Sequence, residues 1–181
     1  MVIVVVFLVV ALVVSVVLNV YYYVNVRVDN ENLVSTFRAR AFCIYGIQAG
    51  VVADCLEQYL QTSDNAAFEQ AEYGIYRALV VSDILSPGLH GESGIMYYEL
   101  KHVAGAVWSY LGLTTGAPDS LNKTKLGVVA QLLDEIYDVV MSESFDWMEN
   151  KDPLNVLSSS DIDAVIGYCH QIHACVHNAN W

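Results

Sequence analysis

The chain opens with "MVIVVVFLVVALVVSVVLNVYYYV", in which no side chain is charged and only Ser15, Asn19 and three tyrosines interrupt the apolar run. A helix of about 20 such residues crosses a hydrocarbon core about 30 Å thick. A run this long and this uniform has no polar face to turn towards water, so whatever the chain folds into must keep it covered. We therefore expect residues 1–26 to form a membrane-spanning helix, with residues 1–24 in contact with the membrane. Tyr21, Tyr22 and Tyr23 would stand at an interfacial aromatic belt, and Asn25 and Arg27 in water beyond it. A cleaved secretory signal is the competing reading. It calls for a basic leader, a shorter apolar region and a small-residue cleavage site, none of which is present.

The remaining residues, 27–181, are enough for one domain of ordinary size. Their placement relative to the membrane is argued from opposing signs. Arg27, Arg38 and Arg40 follow the apolar run and no basic residue precedes it, which taken literally places the domain in the cytoplasm. Against that stand the net charge of −12, an even number of cysteines, and Asn122-Lys123-Thr124, a sequon that makes Asn122 a candidate glycosylation site. The uncharged start is also what removal of a basic leader would leave. The balance favours an extracytoplasmic or cell-surface domain. Eight Lys plus Arg against twenty Asp plus Glu cannot build the basic footprint that phosphate binding needs, so nucleic acid is not an expected partner.

Beyond the anchor, stretches with 3.6-residue periodicity alternate with turn signals, and the expected class is all-α: the N-terminal transmembrane helix continuing into an up-down bundle of four to five helices. The first helix continues to about Leu60, with a loosening expected around Asn30 to Asn32. Ser63 or Asp64 caps a second helix from about Ala66 to Leu85, which "SPGLHG" stops. A third runs from about Glu92 to Leu113 and ends at "TTGAPDS"; Asp119 or Ser120 caps the fourth. Leu126, Val129, Leu133, Ile136 and Val140 give that helix a bundle-like apolar seam, with Asp134, Glu135 and Asp138 on the solvated side. After the linker "NKDPLNVLSSSD", Ser158 with Asp161 three residues on has the form of a capping box opening the last helix.

Two stripes of small residues bear on packing. Ala39, Cys43, Gly46, Gly50 and Ala53 recur at helical spacing, as do Ala67, Ala71, Gly74, Ala78 and Ser82. A glycine inside a helix costs about 1 kcal/mol relative to alanine, so two on one stripe point to a close backbone approach. Folding the helices back about the turn at Thr62 to Asn65 sets Ala53 by Gly74, Gly50 by Ala78 and Gly46 by Ser82. The expected separation of the axes lies near the short end of roughly 8 to 10 Å.

Chemistry is less legible. "CHQIHACVH" brings His170, His173 and His177 onto an arc of about 60° at the border of the apolar side formed by Ile162, Val165, Ile166, Cys169, Ile172 and Val176. Neutral imidazoles so spaced make a candidate metal set for zinc, copper, nickel or iron, although no carboxylate or cysteine partner can be placed beside them. Border histidines of an amphipathic helix are the plainer reading. Cys43, Cys55, Cys169 and Cys175 are candidates for a bridge between the first and last helices in an oxidising compartment. Joining both pairs is awkward, because Cys43 and Cys55 would lie about 18 Å apart along one helix. Glu99 and His102 form one Glu-x-x-His, but di-iron bundles need two. No nucleophile elbow, P-loop or dinucleotide fingerprint occurs. Tyr97, Tyr98, Trp108 and Tyr110 have helical spacing and read as core sooner than as a pocket. No cofactor is expected.

The architecture resembles the helical-bundle ligand-sensing domains of transmembrane receptors, without a second membrane helix or a signalling region after Trp181. That resemblance implies a non-enzymatic, membrane-tethered binding or interaction module working through a protein partner or self-assembly. The uncharged start and long first helix are also similar to type IV pilins. That second resemblance implies a filament subunit whose apolar helix packs into a fibre core, though the glutamate many pilins carry near the mature N-terminus is missing. A metal-binding bundle built on the C-terminal histidines ranks third.

Overall fold

A computed structural model describes residues 2–85, 92–114, 120–142 and 157–177. Those residues form five helices: α1 (Val2–Thr62), α2 (Asn65–Leu85), α3 (Glu92–Thr114), α4 (Ser120–Val140) and α5 (Ser159–His177), with no strand among them. "SPGLHG", the part of "TTGAPDS" from Thr115 to Asp119, and the linker from Asn150 to Val156 lie outside the described residues. The chain divides into two compact units, Met1–Thr36 and Phe37–Trp181.

In the first unit the helix passes without interruption through Asn30, Glu31 and Asn32, so the loosening expected there does not occur. From Leu12 to Arg27 every side chain is exposed, Leu12, Tyr22 and Tyr23 each by about two thirds. Between Leu12 and Val20 the two polar side chains, Ser15 and Asn19, meet along the helix. Asn19 Nδ2 donates to the Ser15 carbonyl at 2.9 Å and approaches Ser15 Oγ at 3.5 Å. Valine loses side-chain freedom in a helix and is a modest helix former in water. In an apolar medium the backbone has no water to bond, and a helix is the one local way to satisfy it.

Among the described residues one helix is long and apolar enough to cross a membrane, and it lies near the N-terminus. Within α1 the qualifying stretch is Leu33–Thr62, and Leu12–Arg27 is a shorter apolar helix. The two differ in what covers them. Of the most apolar part of Leu33–Thr62, 72% is buried inside the protein, and the stretch carries Arg38, Arg40, Asp54 and Glu57, so burial in the second unit accounts for its composition. Leu12–Arg27 has no charge before its last residue and is exposed along its whole length.

The second unit is built around the C-terminal part of α1. Ala39, Ala41, Phe42, Cys43, Tyr45, Gly46, Gln48, Ala49, Gly50, Val52 and Ala53 are all buried there, and only a narrow line through Arg40, Ile44, Ile47, Val51 and Asp54 reaches solvent. α2 meets it at Gly74 against Val52, and α3 at Phe42 against Tyr97, ring centroids 6.1 Å apart. The buried Tyr45 hydroxyl donates to the Leu100 carbonyl at 2.9 Å. α3 packs in turn on α2 and α5, and α4 on α5. The seam read on α4 is wholly buried from Leu126 to Val140, and the α5 side runs through Ile162, Val165, Cys169, Ile172 and Val176.

Local chemistry sets the helix ends. α1 stops at Thr62 because Ser63 turns into the left-handed region, φ 57°, and its N–H bonds back to the Tyr59 carbonyl at 2.7 Å. Asp64, the second of the two expected caps, accepts the Ala66 N–H at 2.9 Å, and Tyr59 and Phe68 close the turn with ring centroids 5.0 Å apart. At α5 the capping box is reciprocal: Ser158 Oγ accepts the Asp161 N–H at 3.2 Å and Asp161 Oδ2 accepts the Ser158 N–H at 3.1 Å.

The small-residue stripes are buried at every position, but they do not face one another as expected. A side chain added at Gly46 would run into Val140 and one at Gly50 would come within 2.7 Å of the Tyr137 ring, both on α4, rather than meeting Ser82 and Ala78. Gly74 does look towards α1, where its nearest neighbour is Val52. The reason is the near-complete burial of α1 from Ala39 to Ala53: with neighbours on most sides, its small face there serves α4 while an adjoining face serves α2.

Candidate functional site

Two concavities in the second unit bring chemically distinctive side chains together. The first lies between α3 and α5, a groove of about 540 Å3 lined by Tyr98, Glu99, His102, His170, His173 and Ala174. The partner that could not be placed beside the C-terminal histidines is Glu99, whose Oε1 stands 3.6 Å from His170 Nε2. The Glu99 side chain is mostly buried while that of His170 is open. His102 lies against the Tyr98 ring, centroids 4.1 Å apart, and His173 against His177 at 4.0 Å. Burial holds the His173 imidazole below its usual pKa; His177 beside it, and more weakly His102 and His170, push the same way while Glu99 opposes them. The groove therefore sets a row of imidazole rings beside one carboxylate.

This arrangement is not the metal set read from the sequence. Among the described residues no group of three or more His, Cys, Asp and Glu side chains could hold a metal ion. His170 is directed to Glu99 while His173 stacks on His177, so the three imidazoles share an arc without sharing a focus.

The cysteines also require a correction. Cys43, Cys55, Cys169 and Cys175 are all free thiols. Cys55 Sγ lies 3.8 Å from Gln70 Oε1 on α2, Cys175 Sγ 3.8 Å from the Lys125 carbonyl on α4, and Cys43 and Cys169 are buried in the core. Burial, with Glu99 nearby, raises the Cys169 thiol far above its ordinary pKa. Asn122 is half-buried, and its Oδ1 accepts the Tyr110 hydroxyl at 3.1 Å.

The second concavity is an open notch of about 260 Å3 between α2 and α3, lined by Glu69, Glu72, Tyr73, Tyr76 and Trp108. The Tyr76 and Trp108 rings meet at 46° with centroids 5.8 Å apart. Of the four aromatics weighed in the sequence, Tyr97 and Tyr110 are core, whereas Tyr98 lines the histidine groove and Trp108 the notch. The α2 residues were missed, although Glu69, Glu72, Tyr73 and Tyr76 fall at i, i+3, i+4 and i+7 on one face. A third groove, between α1 and α2, is lined by Gln48, Val51, Gln70, Tyr73 and Arg77 among others, with the Arg77 guanidinium 5.8 Å from the Tyr73 ring centre.

The chain matches no family model, no curated protein and no solved structure.

Proposed function

We propose that this chain is a non-enzymatic interaction module tethered to a membrane by residues 1–26, with the up-down bundle of residues 27–181 presented on the extracytoplasmic side. The observation that carries the tether is the all-round exposure of Leu12–Arg27 with its polar pair, Ser15 and Asn19, bonded to each other. An exposed apolar surface larger than a few hundred Å2 is not left bare in water, and a helix without a polar face needs covering on every side. The acidic bundle suits a body that must stay dissolved beside its anchor.

The filament reading is second. It is favoured by α1 running as one helix from the apolar segment to Thr62, because a fibre core would also cover such a helix on all sides. Shearing native cells without detergent, pelleting the released material and locating the chain by mass spectrometry and negative-stain microscopy separates the two. Retention in the membrane fraction until detergent is added supports the tether, and recovery in thin filaments replaces it with self-assembly. Protease digestion of intact cells tests the side: loss of the bundle supports an extracytoplasmic domain, and protection reverses the orientation.

A further inference from the structure

The notch between α2 and α3 combines what recognition of an organic cation requires. Aromatic rings present their negative faces to a cation, and tryptophan does so best. Here Tyr73, Tyr76 and Trp108 are each between about two fifths and two thirds exposed, so their rings are open to a ligand. Beside them stand two carboxylates. Glu69 is exposed; Glu72 is half-buried and reaches across to α3, where its Oε1 lies 3.9 Å from where a side chain at Gly112 would begin. Among the described residues neither carboxylate has a hydrogen-bond or ion-pair partner. The nearest cation on this part of α2, Arg77, lines the neighbouring α1–α2 groove and not the notch. It approaches Tyr73 all the same, which shows a ring of this group accepting a positive charge.

We infer that this notch binds a small alkylammonium group, of the trimethylammonium type, against the open faces of the Tyr76 and Trp108 rings, which touch one another and form one aromatic wall, with Glu72 and Glu69 as counter-charges. A compact primary ammonium is strongly hydrated and loses that hydration on an aromatic wall, whereas a methylated one is weakly hydrated and fits it. The volume admits such a headgroup but not a large ligand. Nothing in this assignment depends on how the N-terminal helix is covered.

The test is isothermal titration of the full chain in a maltoside detergent, with choline, tetramethylammonium, the neutral choline isostere 3,3-dimethylbutanol, and glycerophosphocholine as ligands. Saturable binding of the cations and none of the neutral isostere is expected. W108A and E72Q should each weaken cation binding about tenfold, and W108F less than W108A, with the melting temperature of each variant measured alongside so that a loss of binding is told apart from a loss of fold. Glycerophosphocholine binding tighter than choline assigns the notch to a lipid headgroup; the reverse order assigns it to a free quaternary ammonium compound. No saturable heat with any cation, equal affinity for the isostere, or unchanged binding by both variants overturns the proposal.

Discussion

Gly46→Ala is the substitution whose sign depends most directly on the packing of α1. In an isolated helix the change would stabilise by about 1 kcal/mol. In this fold the new methyl would lie 2.7 Å from Val140 Cβ and 3.3 Å from Cγ2, and closer still to Cγ1. Carbon pairs rest at about 3.5 to 4.0 Å. Val140 is fully buried and branched at Cβ, so it has no alternative rotamer to adopt and the helices must separate. Overpacking of this kind costs about 1 to 3 kcal/mol, and the rigid neighbour argues for the upper part of that range. Subtracting the helical gain leaves a net loss of about 1 to 2 kcal/mol. At about 3 to 4 °C per kcal/mol for a domain of this size, the melting temperature should fall by about 3 to 8 °C. Gly167→Ala on α5 is the matched control, because nothing lies within 4 Å of the added methyl and the same propensity gain should raise the melting temperature. Adding Val140→Ala to Gly46→Ala should recover part of the loss, a coupling of about 1 kcal/mol or more in a double-mutant cycle by urea denaturation. Gly46→Ala melting higher than the parent, or a strictly additive cycle, would refute the α1–α4 contact.

Two further outcomes follow from local geometry. Ser63→Gly should stabilise the chain by about 1 kcal/mol, since Ser63 holds a left-handed conformation that costs a side chain about that much and glycine nothing; a lower melting temperature for the variant would mean the turn is built differently. For His173, burial keeps the folded-state pKa below the ordinary value of about 6.5, so the folded chain binds fewer protons than the unfolded one in the interval between. The stability associated with the neutral ring is present above about pH 6.5 and declines as the pH falls below it. The difference in melting temperature between His173→Gln and the parent should therefore change between about pH 7.5 and pH 5. Parallel curves for the two proteins would show that His173 titrates alike in both states.

What could be read from the sequence was what neighbouring residues decide among themselves. Ser158 and Asp161 cap α5 through bonds spanning three residues, and Asp64 caps α2 through its own carboxylate. The α4 seam announced its buried side because that helix keeps a polar one. α1 offers no such contrast between Ala39 and Ala53, so its glycines announced a close neighbour without saying which, and α4 rather than α2 receives them. The sites were hidden for the same reason. Glu99 reaches His170 from a different helix, and Trp108 meets Tyr76 across an interface, neither of which has a spacing to detect. The four cysteines could be counted but not paired, and all four are free.

The sealed position of Cys169 makes it a reporter of how the bundle opens. A thiol that is fully buried and held far above its ordinary pKa reacts with an alkylating reagent only when the core around it comes apart. Cys175, six residues on and half-exposed, needs only the last turns of α5 to fray. Within one helix the chain thus carries two clocks: the slower times global unfolding and the faster times breathing at the C-terminal end, and the ratio of their rates would measure the cooperativity of α5 in the native protein without any probe being added to it.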